Sequence, residues 1–137
     1  MPQDTTAPAV TALDHFVLTV ADIPATVLFY QTALGMKANA FSTATGEVRQ
    51  ALLFGRSKIN LHQRGSEFEP KAAQPTPGSA DLCFLTEAPL SAWQDRLAAL
   101  HIAIEEGPVL RTGAQGPLIS LYIRDPDGNL IEISVRD

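Results

Sequence analysis

Four residues of this chain carry groups that could share one chemistry: His15, His62, Asp81 and Glu132. Glu132 stands in the closing stretch Asp125-Pro126-Asp127-Gly128-Asn129-Leu130-Ile131-Glu132, where a Pro-Asp-Gly turn feeds an apolar run that reaches Val135. Side chains alternate across a strand, so Ile131, Ile133 and Val135 share one face while Leu130, Glu132 and Ser134 share the other. A carboxylate on the enclosed face of a sheet is costly to bury alone, so Glu132 needs a cation, a metal or hydrogen bonds as partner.

The elements around these residues follow from local pattern. Residues 13–20 form a β-branched and aromatic run in which His15 shares a face with Leu13, Val17 and Thr19. Asp22 then caps a helix that tolerates Pro24 in its first turn, repeats Val27, Tyr30 and Leu34 along one stripe, and ends at Gly35. Segments 37–42, 48–54 and 58–63 read as an antiparallel meander, with Ile59 and Leu61 facing one way and Asn60 and His62 the other. Residues 64–79, with three prolines and two glycines, form the connector between two halves.

The halves are related. Leu13-Asp14-His15-Phe16-Val17-Leu18 lies over Ser79-Ala80-Asp81-Leu82-Cys83-Phe84, and Ala33-Leu34-Gly35-Met36 over Ala99-Leu100-His101-Ile102, which sets His15 opposite Asp81. A second helix follows Pro89, with Leu90, Trp93, Leu97 and Leu100 on one stripe. Segments 102–105, 108–111, 118–124 and 129–135 read as the strands after it. With a small loop difference allowed, His62 matches Glu132. If the halves pair about a pseudo-twofold axis, two imidazoles and two carboxylates converge, a set suited to Zn, Ni, Co, Mn or Fe(II). The alternative is that each is a separate strand-end polar group satisfied by hydrogen bonds, and there is no close His-x-x-His spacing to decide between them.

Composition narrows the function classes. The 137 residues make one domain: a flexible tail at 1–11, then a single unit at 12–137 built of module one (12–63), connector (64–79) and module two (80–135). One cysteine, Cys83, excludes an intramolecular disulfide framework and favours a reducing compartment, so a cytoplasmic protein is expected. The first twelve residues show no targeting or membrane-spanning signal. A formal charge of -5 without a basic cluster argues against nucleic acid, and no membrane partner is expected. Cys83 reads as a small buried hydrophobe, Trp93 as core, and His101 as a helix-end residue outside the site. Arg49, Arg111 and Tyr122 are secondary candidates, with Arg111 in a flexible segment able to close over an anionic ligand. No serine nucleophile arrangement and no phosphate-cradling glycine loop occurs.

The sequence resembles the vicinal oxygen chelate superfamily, which includes glyoxalase I, fosfomycin and bleomycin resistance proteins and extradiol dioxygenases. The resemblance rests on the opening strand with His15, the helix through Phe29-Tyr30 to Leu34-Gly35, and the closing Asp125-to-Glu132 motif, which is the most specific. Lys58-Ile59-Asn60-Leu61-His62 and Ile104-Glu105-Glu106-Gly107-Pro108 look most like the short glyoxalase domain-containing protein 5 type. The resemblance implies an α+β fold of two βαβββ modules forming a cupped mixed sheet around a divalent metal, which chelates neighbouring substrate oxygens. It implies His15, His62, Asp81 and Glu132 as the metal set, with Asp81 standing where a histidine is commoner. It further implies a glyoxalase-type lyase or isomerase that stabilises an enediolate, with Glu132 or His62 moving the proton. Alternatives are a non-catalytic small-molecule-binding or resistance-type protein and an Fe(II) extradiol dioxygenase. A homodimer is expected, with or without exchange of modules between chains.

Overall fold

The computed structural model describes residues 7–137. Part of the expected tail, residues 1–6, lies outside them, and no helix or strand occurs from residue 7 to the start of the first strand. The first half contains β1 (His15–Val20), α1 (Ile23–Thr32), β2 (Lys37–Ser42), β3 (Val48–Phe54) and β4 (Ser57–Gln63). The second contains β5 (Asp81–Leu85), α2 (Leu90–Ala99), β6 (Glu106–Gly113), β7 (Gly116–Arg124) and β8 (Leu130–Arg136). Each half makes a mixed four-stranded sheet of the same order, β1-β4-β3-β2 and β5-β8-β7-β6. In both, the helix carries the chain across so that the first strand runs parallel to the last, and the remaining pairs are antiparallel. The fold is α+β, two repeated βαβββ modules.

Local chemistry sets the helix ends. Asp22 is extended and its carboxylate accepts from the Ala25 amide, while Gly35, at φ 72°, turns the chain out of α1. In the second module His101 occupies the position of Gly35 and adopts φ 58°.

Four strand segments were expected after α2 and three strands are found. Residues 102–105 precede β6 without joining a sheet, and β6 runs straight through Gly107-Pro108, absorbing them as a bulge opposite β7. Gly107 is required there, because a Cβ would lie 2.3 Å from the Ser120 carbonyl oxygen.

One face of each sheet contributes to a single shared core. Leu18, Val20, Leu52, Ile59 and Leu61 join Leu121, Ile123, Ile131 and Ile133, with Tyr30 and Leu97 supplied by the helices. The Phe54 and Phe84 rings meet edge to face across the two modules at 5.2 Å. The opposite face of each sheet therefore points away from this core. The closing turn binds the modules together. Asp125 accepts from the Asp127 and Asn129 amides, from Asn129 Nδ2 and from the Tyr30 hydroxyl, while Asn129 Oδ1 takes the Ala80 amide and Asp127 Oδ1 the Ala21 amide. No helix among the described residues is long and apolar enough to cross a membrane.

Candidate functional site: two open sheet faces

The open face of the first sheet carries His15, Val17 and Thr19 beside Lys58, Asn60 and His62. Asp14 Oδ1 lies 2.8 Å from His15 Nδ1, which orients the ring and leaves Nε2 for another partner on a side chain 44% exposed. Asn60 Oδ1 is buried and accepts no hydrogen bond among the described residues. His62 is buried at the end of β4, its ring edge-on to Phe68 at 5.5 Å, and the Arg49 guanidinium stacks on the same Phe68 at 3.9 Å. Burial first, and Arg49 second, hold the His62 imidazole below its ordinary pKa against the opposing pull of Glu67. A cavity of about 320 Å³ opens between His62, Thr19 and the connector.

The open face of the second sheet carries Asp81, Cys83, Glu132, Ser134, Ser120 and Tyr122. Glu132 Oε2 accepts from Ser120 Oγ at 2.6 Å and Ser134 Oγ at 3.3 Å, and the two hydroxyls meet at 2.7 Å. Neither bond uses Oε1. Asp81 is exposed at the start of β5, beside Leu130. Cys83 is exposed rather than buried as expected, its sulfur 3.3 Å from Ser134 Oγ, because its strand position falls on this face. Partial burial raises its thiol pKa, opposed by the Ser134 contact and aided by Glu132. Arg111 is fixed in β6 by Tyr122 Oη at 3.0 Å and Glu106 Oε1 at 3.0 Å, so it does not sit in the flexible segment that the glycines suggested. Trp93 is half-buried against the core and donates to Thr86 Oγ1. A cavity of about 410 Å³ is lined here by Cys83, Gln115, Leu118 and Glu132.

The equivalence between the modules needs one correction. Val17 pairs with Asn60, and its counterpart Cys83 pairs with Glu132, so Asn60 is the match of Glu132. His62, paired with Thr19, matches Ser134, paired with Leu85. The two assignments differ by two residues, which keeps a side chain on its face but moves it about 7 Å along the strand. Counting inward from the parallel partner strand, rather than back from the strand end, is the signal that finds Asn60.

Within one chain the four residues do not assemble: His15 and His62 lie on one open face, Asp81 and Glu132 on the other, with the shared core between. Among the described residues no group of three or more His, Cys, Asp or Glu is placed to hold a metal ion. The separate halves nonetheless fit one. His15 Nε2 and the unpartnered Asn60 Oδ1 on one face, with Asp81 and Glu132 Oε1 on the other, are the nitrogen and oxygen donors that borderline divalent ions take.

Comparison with known proteins agrees with this architecture. The chain is 57% identical to virulence protein STM3117 of Salmonella typhimurium over 122 residues, 89% of this chain and 82% of that protein. The crystal structure of STM3117 superposes with a TM-score of 0.87, covering 95% of this chain and all of that one. The chain is 52% identical to the glyoxalase domain-containing protein RDO1 of Mycosarcoma maydis, over 92% of this chain and 69% of that one. A structure from the mobile metagenome of V. Pseudocholerae, VPC_CASS1, is 54% identical with a TM-score of 0.90, covering 96% and 98% of the two chains. At 19–23% identity the same fold, and only the fold, is shared with a lactoylglutathione lyase from Agrobacterium tumefaciens, the antibiotic-binding protein TnmS3 from Streptomyces, and the Listeria fosfomycin resistance protein FosX bound to Mn(II). The two curated relatives carry names other than glyoxalase domain-containing protein 5, so that finer resemblance is not established. The family model for the superfamily matches residues 12–133, and the chain belongs to the Glyoxalase/Bleomycin resistance protein/Dioxygenase superfamily.

Proposed function

We propose that the chain is a homodimeric, metal-dependent lyase or isomerase of glyoxalase type. Each cup would be closed by the first sheet of one protomer and the second sheet of its partner. The observation that supports this is the division of the candidate donors between two outward faces, so that one chain would hold half of each site. A divalent ion held by His15, Asn60, the partner's Asp81 and the partner's Glu132 would polarise two neighbouring oxygens of a small substrate.

The protein's own groups would do the rest. Ser120 and Ser134 donate to Glu132 Oε2 and fix the carboxylate, so that Oε1, on leaving the ion transiently, would take a proton from one carbon and return it to the next. Asp14 keeps the His15 ring in one orientation. His62, one pair further along the face, lines the cup beside Arg49 and Phe68.

The decisive experiment combines sedimentation at micromolar concentration, metal titration, and steady-state assays on α-ketoaldehyde thiol adducts with metal-loaded and chelated protein. A dimer with metal-dependent turnover is expected. A persistent monomer, or no metal-dependent turnover, would overturn the reading.

A second reading is a non-catalytic small-molecule binder, favoured by Asn60, which places a neutral amide where the second module has Glu132 and so weakens the donor set. TnmS3 shows the fold in an antibiotic-binding protein. Under this reading, ligands stabilise the protein equally with and without chelator.

A further inference from the structure

Resting on the cup described above and adding a substrate class to it, we propose that Arg49 clasps a carboxylate, so that the molecule taken by the cup carries a carboxylate a few atoms from its vicinal oxygens. Arg49 Nε is buried and donates to nothing among the described residues. Its Nη2 has only a loose pairing with Glu47, at 3.6 Å. The guanidinium is nonetheless held in place, its carbon 3.9 Å from the centre of the Phe68 ring, which also meets the His62 ring at near right angles. A guanidinium held against a ring while a buried N–H has no acceptor is placed to receive an oxyanion, and its fork of N–H donors matches a planar carboxylate.

Position ties this group to the cup. Gln50 pairs with Leu61 and Ala51 with Asn60, so Arg49 and Asn60 share the open face as diagonal neighbours. Diagonal neighbours across a sheet are about 7–8 Å apart, within reach of one small molecule. Charge selects a carboxylate over a phosphate dianion. Lys58 is engaged over the Phe41 ring at 4.8 Å and Lys71 is paired with Glu69, while Arg49 has only its loose contact to Glu47, leaving one cation for one negative charge.

The test uses chelated full-length protein, with butyrate and butyramide as probes and binding followed by ligand-observed NMR. Butyrate should bind about tenfold tighter than butyramide, the worth of a hydrogen bond to a charged group. Arg49→Gln should erase that preference, Arg49→Lys should keep part of it, and Arg56→Gln, at an exposed hairpin, should leave it intact. Equal binding of the two probes, or an unchanged preference in Arg49→Gln, overturns the proposal. Inorganic phosphate competing as well as butyrate overturns the choice of carboxylate. Mn(II) titration of the same samples separates the two ideas: absent metal binding with the butyrate preference intact removes the metal reading alone, and normal metal binding without the preference removes only the carboxylate clasp.

Discussion

Tyr30 on α1 and Asp125 in the closing turn, 95 residues apart, meet through a 2.7 Å hydrogen bond inside the shared core. Burial, and then the Asp125 charge, raise the phenol pKa well above its ordinary value, which keeps the hydroxyl a donor at neutral pH. Asp125 keeps its three contacts to Asp127 and Asn129 without Tyr30, so Tyr30→Phe removes one charge-assisted bond and leaves the turn in place. The substitution should cost about 2 kcal/mol in denaturant unfolding, with the fold retained. A loss under about 0.5 kcal/mol would show that the bond is not a significant tie between the modules.

His101 stands in left-handed backbone where the first module has Gly35. A side chain there is strained by its Cβ, so His101→Gly should stabilise the protein by about 1 kcal/mol and raise the midpoint of thermal unfolding. Metal content should be unaffected, because His101 ends α2 on an exposed edge away from both open faces. Destabilisation would point to a contact made by the imidazole itself.

The pH response of His62 has a definite sign. Its folded pKa lies below the ordinary 6.5, so on acidification the unfolded chain takes up this proton first. Stability should be unaffected by this group above pH 6.5, begin to fall as the pH drops through 6.5, and level off below the folded pKa. Denaturant unfolding across this range should show a flatter profile in His62→Gln. An identical slope in both proteins would assign the acid sensitivity to other groups.

For the donor set, His15→Ala, Asn60→Ala and Glu132→Gln should each remove most of the bound metal, as measured by elemental analysis. Asp81→Ala should weaken binding, and Asp81→His should keep or tighten it, since imidazole suits borderline divalent ions. His62→Ala should leave the stoichiometry unchanged if the register match governs. Its loss in His62→Ala, with Asn60→Ala unaffected, would restore the original assignment. Unfolding of the metal-free proteins belongs beside these data, because removing a ligand also changes what is buried.

Legibility followed the range of the physical signal. Alternation and capping act over a few residues, and from them came β2, β3, the Asp22 cap and the faces of Asn60, His62 and Glu132. What depended on pairing between distant strands was harder to read. A two-residue slip leaves every side chain on its own face, so nothing in β4 alone distinguishes Asn60 from His62. The bulge at Gly107 looked like a chain break because Gly-Pro punctuates most strands, and only the crossing Ser120 carbonyl explains why the strand continues. Residue type favours a buried Cys83, whereas its place beside Glu132 follows from the parallel pairing of β5 with β8.

The outward direction of both donor half-sets has a genetic consequence. If each cup takes one half from each protomer, a chain lacking His15 and a chain lacking Glu132 are separately inactive yet complement each other. In the hybrid dimer one cup collects both defects and the other collects none. Co-expression of the two variants should therefore recover activity that neither shows alone, and a site confined to one chain could not produce that rescue.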